Sequence, residues 1–400
     1  MSIPAALARR RDYAGPALFS YGFRPFFLGA TLWATAGILF WLPQYFGVFT
    51  LPTAMGPLDW HVHEMLYGYV AAVVAGFLLT AIPNWTGRLP VSGLPLAALA
   101  LLWLAGRVAV LTSGTIGPVA AAMIDVAFLA GLAAVALREI IAGRNWQNLR
   151  VLGVLGVLIA GNIVFHAEVI RFGVADYGPR IGIAAVIGLI MLIGGRIIPS
   201  FTRNWLARHR PQRLPAPFSR YDAVSLATGA VALLAWIAAP LHGASGVLLM
   251  AAGLLHLARL GRWAGDRTFA DRLVLVLHVG YVFVPIGFLL VGAAAVWPLA
   301  IPASAGIHAW TAGAMGVMTL AVMTRATLGH TGLPLAASLA TQVIYALVVI
   351  GVLVRIAAAF DGSAALMHAA AAAWECAFIG FVIVYGPLLI GRPPAWTARS

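Results

Sequence analysis

Long apolar stretches follow one another along the chain, and short segments between them contain most of the charged residues. Each stretch is long enough for an α-helix to cross a hydrocarbon core about 30 Å thick. Polarity does not alternate residue by residue within them, as it would in the strands of a membrane β-barrel. Helices are the expected form, because lipid offers peptide groups no hydrogen-bond partners. The pattern predicts about twelve transmembrane spans, at residues 26–46, 61–83, 94–112, 118–141, 150–171, 180–200, 222–240, 244–260, 273–293, 303–326, 334–356 and 364–390.

Composition supports this interpretation. Of the 400 residues, 62% are hydrophobic and 9% are charged, whereas a water-soluble domain carries about 25% charged residues. We therefore expect an all-α polytopic membrane protein, with residues 1–400 forming a single transmembrane domain. The start does not fit a cleavable signal peptide, because Arg9, Arg10 and Arg11 lie well before the first apolar stretch, which is too long and lacks a small-residue cleavage site.

The formal net charge of +13 comes from arginine, since the chain contains no lysine. If the N-terminus lies inside, 21 of the 25 arginines fall on inner segments, which is the positive-inside pattern. A nucleic-acid surface would instead gather its basic residues on one face, so nucleic acid is not an expected partner. The pattern predicts a bacterial inner membrane protein with both termini in the cytoplasm. The loop at 201–221 would lie inside, and the segment at 47–60 outside.

Ionisable side chains inside membrane spans are costly and usually functional. With this orientation, several histidines share the outer depth and others lie near the inner surface. Neutral imidazole is the commonest metal ligand, so this grouping predicts a bound metal, although a single intramembrane histidine more often hydrogen-bonds a neighbouring helix. The candidate metal ligands are His61, His63, His166, His308 and, near the inner surface, His278. His61 and His63 are two residues apart and point in different directions on a helix, so one metal ion is not expected to bind both.

Two spans contain a similar pattern. Span two reads HEMLYG from His63 and ends at Thr86-Gly87, and span ten reads HAWTAG from His308 and is followed by Thr331-Gly332. Span six ends in a related IPSFT, midway between them, which suggests three four-helix units. The loop at 201–221 instead divides the spans six plus six, as in many secondary transporters. Gly68, Ala72 and Gly76 form a small-residue stripe on span two, which permits either close helix packing or room for a flat macrocycle.

Several segments resemble the NnrS family. They are GFRPFF (22–27), WHVHEML (60–66), LTAIPNWTG (79–87), GGRIIPSFTRN (194–204), LHVGY (277–281) and HAWTAGAMGVMTLAVMTRATLGHTG (308–332). The resemblance implies a bacterial inner membrane protein with twelve spans that carries haem and copper. It also implies a role in nitric oxide metabolism or in defence against nitrosative stress. Neither a redox partner nor a catalysed reaction follows from it.

The three four-helix units also resemble the arrangement of haem–copper oxidases, in which haem ligands lie toward the outer ends of spans two and ten. The corresponding residues here are His63, with His61 as the alternative, and His308. Spans six and seven contain no histidine, so copper would need other ligands, and His61 and His166 are the candidates. Haem propionates would need cationic partners near the outer surface. Those predicted here are Arg107, Arg171 and Arg355.

Three hypotheses follow. The first is a haem protein that binds, senses or detoxifies nitric oxide, with copper as a second cofactor. The second is a secondary transporter in which the same histidines and arginines line a substrate or proton path. The third is a metal-binding regulatory protein without turnover. A haem absorbance band in the purified protein would favour the first hypothesis over the second. Substrate flux in vesicles would favour the second over the first.

Overall fold

The computed structural model describes residues 13–209 and 213–391, and in these ranges the secondary structure is helical, without a β-strand. Arg9, Arg10 and Arg11 lie outside the described residues. Twelve described helices are long and apolar enough to cross a membrane. They are α1 (Phe23–Tyr45), α2 (Pro57–Thr86), α3 (Leu94–Leu111), α4 (Pro118–Ala142), α5 (Trp146–Phe172), α6 (Tyr177–Leu206), α7 (Arg220–Ala238), α8 (Gly243–Arg267), α9 (Arg272–Val296), α10 (Ala303–Thr331), α11 (Leu339–Asp361) and α12 (Ala364–Ile390).

Each predicted span has its counterpart among these helices, so the all-helical class and the twelve spans are confirmed. The largest difference at a helix start concerns α11, which was predicted to begin at 334 and begins at Leu339. Ser338 explains the start, because its side chain accepts a hydrogen bond from the backbone N–H of Thr341 at 3.2 Å. A serine in this position caps a helix by giving an otherwise unpaired N–H an acceptor.

The contacts of the chain group into two compact units. One consists of Met1–Gly182, Ala326–Pro334 and Phe378–Ser400, and the other of Ile183–Arg325 and Leu335–Ala377. The prediction of one transmembrane domain stays a prediction.

In the first unit, α1 packs closely along α2. A Cβ atom built on Gly76 would lie 2.7 Å from the ring of Phe27, and one built on Gly68 would lie 2.9 Å from the indole nitrogen of Trp33. Since two α1 side chains occupy the space beside these glycines, the small-residue stripe serves close helix packing.

Three of the twelve described helices contain a π-helical segment. These segments are Glu64–Val70 in α2, Ile190–Gly194 in α6 and Ala309–Val317 in α10. Such segments are rare and occur frequently at functional sites. In α2 and α10 the segment begins immediately after the histidine of the sequence repeat. Both helices are followed by a glycine with positive φ, 68° at Gly87 and 78° at Gly332. The internal similarity therefore extends to the backbone, while the oxidase-like arrangement stays a prediction.

Candidate metal centre

Helices α2, α3, α4 and α5 of the first unit bring six polar side chains together in an apolar environment. All six are buried. They lie near the ends of their helices that the charge pattern assigns to the outer side. We call them the His–Asp cluster: His63, Glu64, Arg107, Asp125, Asn162 and His166.

Asp125 is the centre of this cluster. Its Oδ2 atom lies 3.3 Å from His63 Nε2 and 3.1 Å from His166 Nε2, and it accepts a 2.8 Å hydrogen bond from Asn162 Nδ2. The Oδ1 atom accepts a hydrogen bond from the guanidinium of Arg107. Two imidazoles thus approach the same carboxylate oxygen, and their ring centroids are 4.8 Å apart.

Glu64 fixes the orientation of His63. Its Oε1 atom lies 2.9 Å from His63 Nδ1 and accepts a 2.6 Å hydrogen bond from Arg107, while its Oε2 atom accepts a 2.6 Å bond from Trp33 Nε1. Because Nδ1 faces Glu64, the other ring nitrogen faces Asp125. Metal-ligating histidines are commonly held in this way, with one ring nitrogen donating to a carboxylate and the other directed at the metal.

The geometry of His63, Asp125 and His166 fits a metal ion. One potential ligand atom from each residue lies within 4.8 Å of the other two. A metal with bonds of about 2.0–2.2 Å holds neighbouring ligand atoms about 3 Å apart, close to the separations of 3.3 and 3.1 Å from Asp125 Oδ2. Two imidazoles and one carboxylate form a donor set that first-row transition metals such as iron(II) accept.

The two carboxylates of the cluster leave room for one positive charge besides that of Arg107, and either a proton or a cation would supply it. Glu64 and Asp125 face one guanidinium, that of Arg107, and an uncompensated buried charge is costly. Without a metal, the hydrogen-bond pattern is complete when both nitrogens of His63 carry a proton, since they face Glu64 and Asn162 Oδ1. A metal ion at this position would displace the proton on Nε2.

Two further predicted cofactor ligands of the first unit, His61 and Arg171, lie outside the His–Asp cluster. His61 stacks on Trp41, with ring centroids 3.9 Å apart, and so points to a different neighbour from His63. Arg171 is exposed, and its guanidinium lies over the ring of Phe172. Their predicted roles in binding copper and a propionate stay predictions.

His308 and Arg355 belong to the second unit. His308 is partly exposed, and its Nδ1 lies 2.6 Å from the backbone oxygen of Ser304. A histidine that donates from Nδ1 to a carbonyl keeps its Nε2 lone pair for a metal. Arg355 is close enough for its charge to act on His308. The predicted roles of His308 as a haem ligand and of Arg355 as a propionate partner stay predictions.

His278, also in the second unit, lies with its Nε2 2.8 Å from the hydroxyl of Thr202. Its Nδ1 is buried without a hydrogen-bond partner. His278 is not part of the described group of three metal-ligating side chains.

Sequence reasoning overlooked Asp125 and Asn162, which connect the two histidines of the cluster. Asp125 interrupts an apolar run in span four, and an acidic residue in that position is itself a signal of function. Asn162 carries no formal charge, so the same signal does not identify it.

A small cavity of about 10 Å³ borders the cluster at His166. This volume holds about one water molecule. Met55, Val110 and Val169 contribute to its mostly apolar lining, so it would accept a small uncharged molecule.

The twelve apolar helices define a polytopic helical membrane protein. A family model described as NnrS protein matches residues 17–392, and the chain therefore belongs to the NnrS family. This match confirms the resemblance inferred from the sequence motifs. No curated protein matches the chain.

Proposed function

We propose that this chain is a metal-containing protein of a bacterial inner membrane that binds nitric oxide or a related small molecule, with both termini in the cytoplasm. The supporting observation is the buried group of His63, Asp125 and His166, whose ligand atoms lie within 4.8 Å of one another. Membership of the NnrS family supports the connection with nitric oxide in general.

The surrounding residues have defined tasks in this proposal. A bound transition metal supplies a coordination position for a small neutral ligand. Glu64 orients His63, and Arg107 holds Glu64 and Asp125 in place through its two terminal nitrogens. The cavity beside His166 has room for one small molecule, and its mostly apolar lining favours an uncharged ligand over an ion.

We also propose haem as a cofactor, with His308 as an axial ligand and Arg355 beside a propionate. The partial exposure of His308 and its Nδ1 contact with Ser304 support this assignment. The prediction that His63 is the second axial ligand of the haem does not enter this proposal, because its Nε2 lies 3.3 Å from Asp125 and its ring centroid 4.8 Å from that of His166, the other two potential ligands of the metal ion. We therefore assign His63 to the metal ion.

The test uses the purified full-length protein, its metal content and its absorption spectrum with and without nitric oxide. We expect His63→Gln and His166→Gln each to lose one equivalent of metal and the nitric-oxide-dependent spectral change that this centre produces. The control, His209→Gln, changes an exposed histidine and should behave as wild type. His308→Ala should lose the haem absorbance band and keep the metal ion.

Equal metal content and equal nitric oxide response in wild type, His63→Gln and His166→Gln would contradict the metal centre. A metal-free protein whose cluster variants lose pH-dependent substrate flux in vesicles would instead support the transporter hypothesis. A protein that binds metal and nitric oxide without turnover would support the regulatory hypothesis.

A further inference from the structure

One acidic side chain of the second unit lies in the middle of a membrane span. Glu375 belongs to α12 (Ala364–Ile390), about 17 Å from the start of this helix and about 23 Å from its end at a rise of about 1.5 Å per residue. This depth corresponds to the centre of the hydrocarbon core, where an ionisable residue is costly and usually has a function. Glu375 is not part of the His–Asp cluster, so the proposed metal centre does not explain it.

The carboxyl of Glu375 is buried without a partner. The residue is 8% exposed, and neither carboxyl oxygen has a hydrogen-bond partner among the described residues. Glu139, a buried glutamate of α4, differs in this respect, because it accepts hydrogen bonds from Arg88 and Arg138. A buried carboxylate without such a cation is costly, whereas the neutral acid is buried at much lower cost. We therefore expect Glu375 to carry a proton.

The neighbouring helices provide no charged partner for Glu375 in the described structure. In the second unit α12 packs against α10 and α11, whose charged or titratable side chains are His308, Arg325, His330, Tyr345, Arg355 and Asp361. Arg325 lies over the ring of Phe201. On α12 itself, His368 and Tyr385 are about two and about three helical turns away. Burial acts on the Glu375 carboxyl without a compensating charge from any of these groups.

The position of Glu375 on α12 is at the border between protein and lipid. Trp374 faces α10, since a Cβ atom built on Gly316 would lie 2.7 Å from its ring. Cys376 and Ile379 are exposed, and exposed positions on a membrane-spanning apolar helix face lipid. Residues four apart lie on the same side of a helix, so Glu375 lies beside the lipid-facing Ile379. A reagent dissolved in the lipid can therefore approach the carboxyl from this side.

We propose that Glu375 is a proton-binding site in the membrane interior, a carboxylic acid that takes up and releases a proton. A single carboxyl oxygen holds a proton through an O–H bond and needs no further ligand. A metal cation fits less well, because Ca²⁺ takes about six to eight oxygen ligands and Glu375 is not in the described group of three metal-ligating side chains. Release of the proton leaves a charge, so water or a cation must then approach the carboxyl.

The first measurement is the infrared spectrum of the purified full-length protein, in which the C=O stretching band of a protonated acid is separate from the bands of a carboxylate. The background variant is Cys376→Ser, because the exposed thiol would react with the reagent of the second measurement. In this background we compare Glu375→Gln and Glu375→Asp with the control Glu139→Gln, which changes a buried glutamate that has cationic partners.

The second measurement is labelling by dicyclohexylcarbodiimide, a lipid-soluble reagent that reacts with protonated carboxyls. The acid proton moves to a nitrogen of the reagent, and the carboxyl oxygen bonds to its central carbon. No group leaves, so the labelled peptide gains the mass of the whole reagent. Mass spectrometry of the peptides locates the label, and the reaction is repeated at constant pH with and without sodium ions.

We expect the background protein and Glu139→Gln to show the protonated-acid band and a label on Glu375, and both signals to decrease as the pH is raised. Glu375→Gln should lose both signals and keep the thermal stability of the background, because a neutral amide of similar size replaces a neutral acid. Glu375→Asp should retain both signals, since it keeps a carboxyl in the same environment.

An identical infrared spectrum for the background and Glu375→Gln, together with an unlabelled Glu375, would overturn the proposal by showing an ionised carboxylate. A band that persists unchanged at every pH at which the protein stays folded would overturn it too, since the proton would not exchange. Suppression of labelling by sodium at constant pH would assign the carboxyl to a cation instead. The variant His63→Gln should be labelled like the background, so a failure of the nitric oxide centre does not affect this test.

Discussion

At the scale of single residues, Arg107 is the side chain on which the geometry of the His–Asp cluster depends. It contacts both carboxylates, donating to Glu64 at 2.6 Å and also to Asp125. Within an apolar environment each of these charges is tolerated because the others are present. The guanidinium geometry suits this task, because its nitrogens can donate to two acceptors in fixed directions.

We predict that Arg107→Gln strongly destabilises the folded protein. Removing one partner of a buried ion pair typically costs about 3–5 kcal/mol, because the remaining charge has lost its compensation. The control is Arg213→Gln, whose side chain and that of its partner Asp266 are both exposed, and exposed pairs contribute about 0–1 kcal/mol. Thermal unfolding in detergent measures both variants. A shift for Arg107→Gln as small as that of the control would show that Glu64 and Asp125 do not depend on Arg107.

The histidines of the cluster were partly predictable from the sequence, and their partners were not. The arginines in the loops predicted a common depth, on the outer side, for His63 and His166. Their proximity depends on how α2 and α5 face each other, which hydropathy does not specify. Asp125 was visible in the sequence as an acid in an apolar span, but its position between the two histidines was not.

At the scale of helices, close approach between α1 and α2 supports the cluster, since Trp33 of α1 donates to Glu64 of α2. The approach is possible because residues on the facing side of α2 are small. Gly76 lies against the ring of Phe27, whereas Gly153 of α5 has no side-chain or backbone neighbour near its Cβ position.

We therefore expect opposite effects from the same substitution at these two glycines. Gly76→Ala should destabilise by about 1–3 kcal/mol, because a methyl group 2.7 Å from Phe27 forces the two helices apart. Gly153→Ala should be neutral or stabilising by up to about 1 kcal/mol, because alanine loses less backbone entropy in a helix. Unfolding temperatures in detergent check both. Equal stability of the two variants would mean that α1 and α2 separate without cost.

The helices themselves were predictable because span length and apolar composition follow from the thickness of the bilayer. Helix ends were predicted less well, since hydropathy placed the start of α11 at 334 although Ser338 caps the helix. The π-helical segments in α2, α6 and α10 were not, because nothing in hydrophobic composition distinguishes an α from a π hydrogen-bond pattern. The sequence repeat at His63 and His308 coincides with the start of two of these segments, but it did not reveal their backbone conformation.

At the scale of the whole molecule, the two compact units each combine segments distant in sequence. The short segment Ala326–Pro334 belongs with the first unit, although the chain before and after it belongs with the second. Such an arrangement leaves no linker of distinct composition. The sequence did suggest a division of the spans six plus six at the loop 201–221, but that division neither separates the units at Gly182 nor returns Ala326–Pro334 to the first unit.

Orientation is the prediction of largest consequence at this scale, because it determines which side of the membrane the His–Asp cluster faces.

Single cysteines that replace Val48 and Leu214, both exposed, would report on which side of the membrane the segment at 47–60 and the loop at 201–221 lie. The background variant is Cys376→Ser. We expect an impermeant maleimide added to intact cells to label position 48, and to label position 214 only after the membrane is opened. The physical reason is the excess of arginine in the loops placed inside, which resists translocation. His63 lies near the α2 end that follows residue 48, so this result would place the His–Asp cluster, and with it the proposed metal centre, close to the outer surface. Labelling of position 214 in intact cells would reverse the orientation and place the centre near the cytoplasmic side.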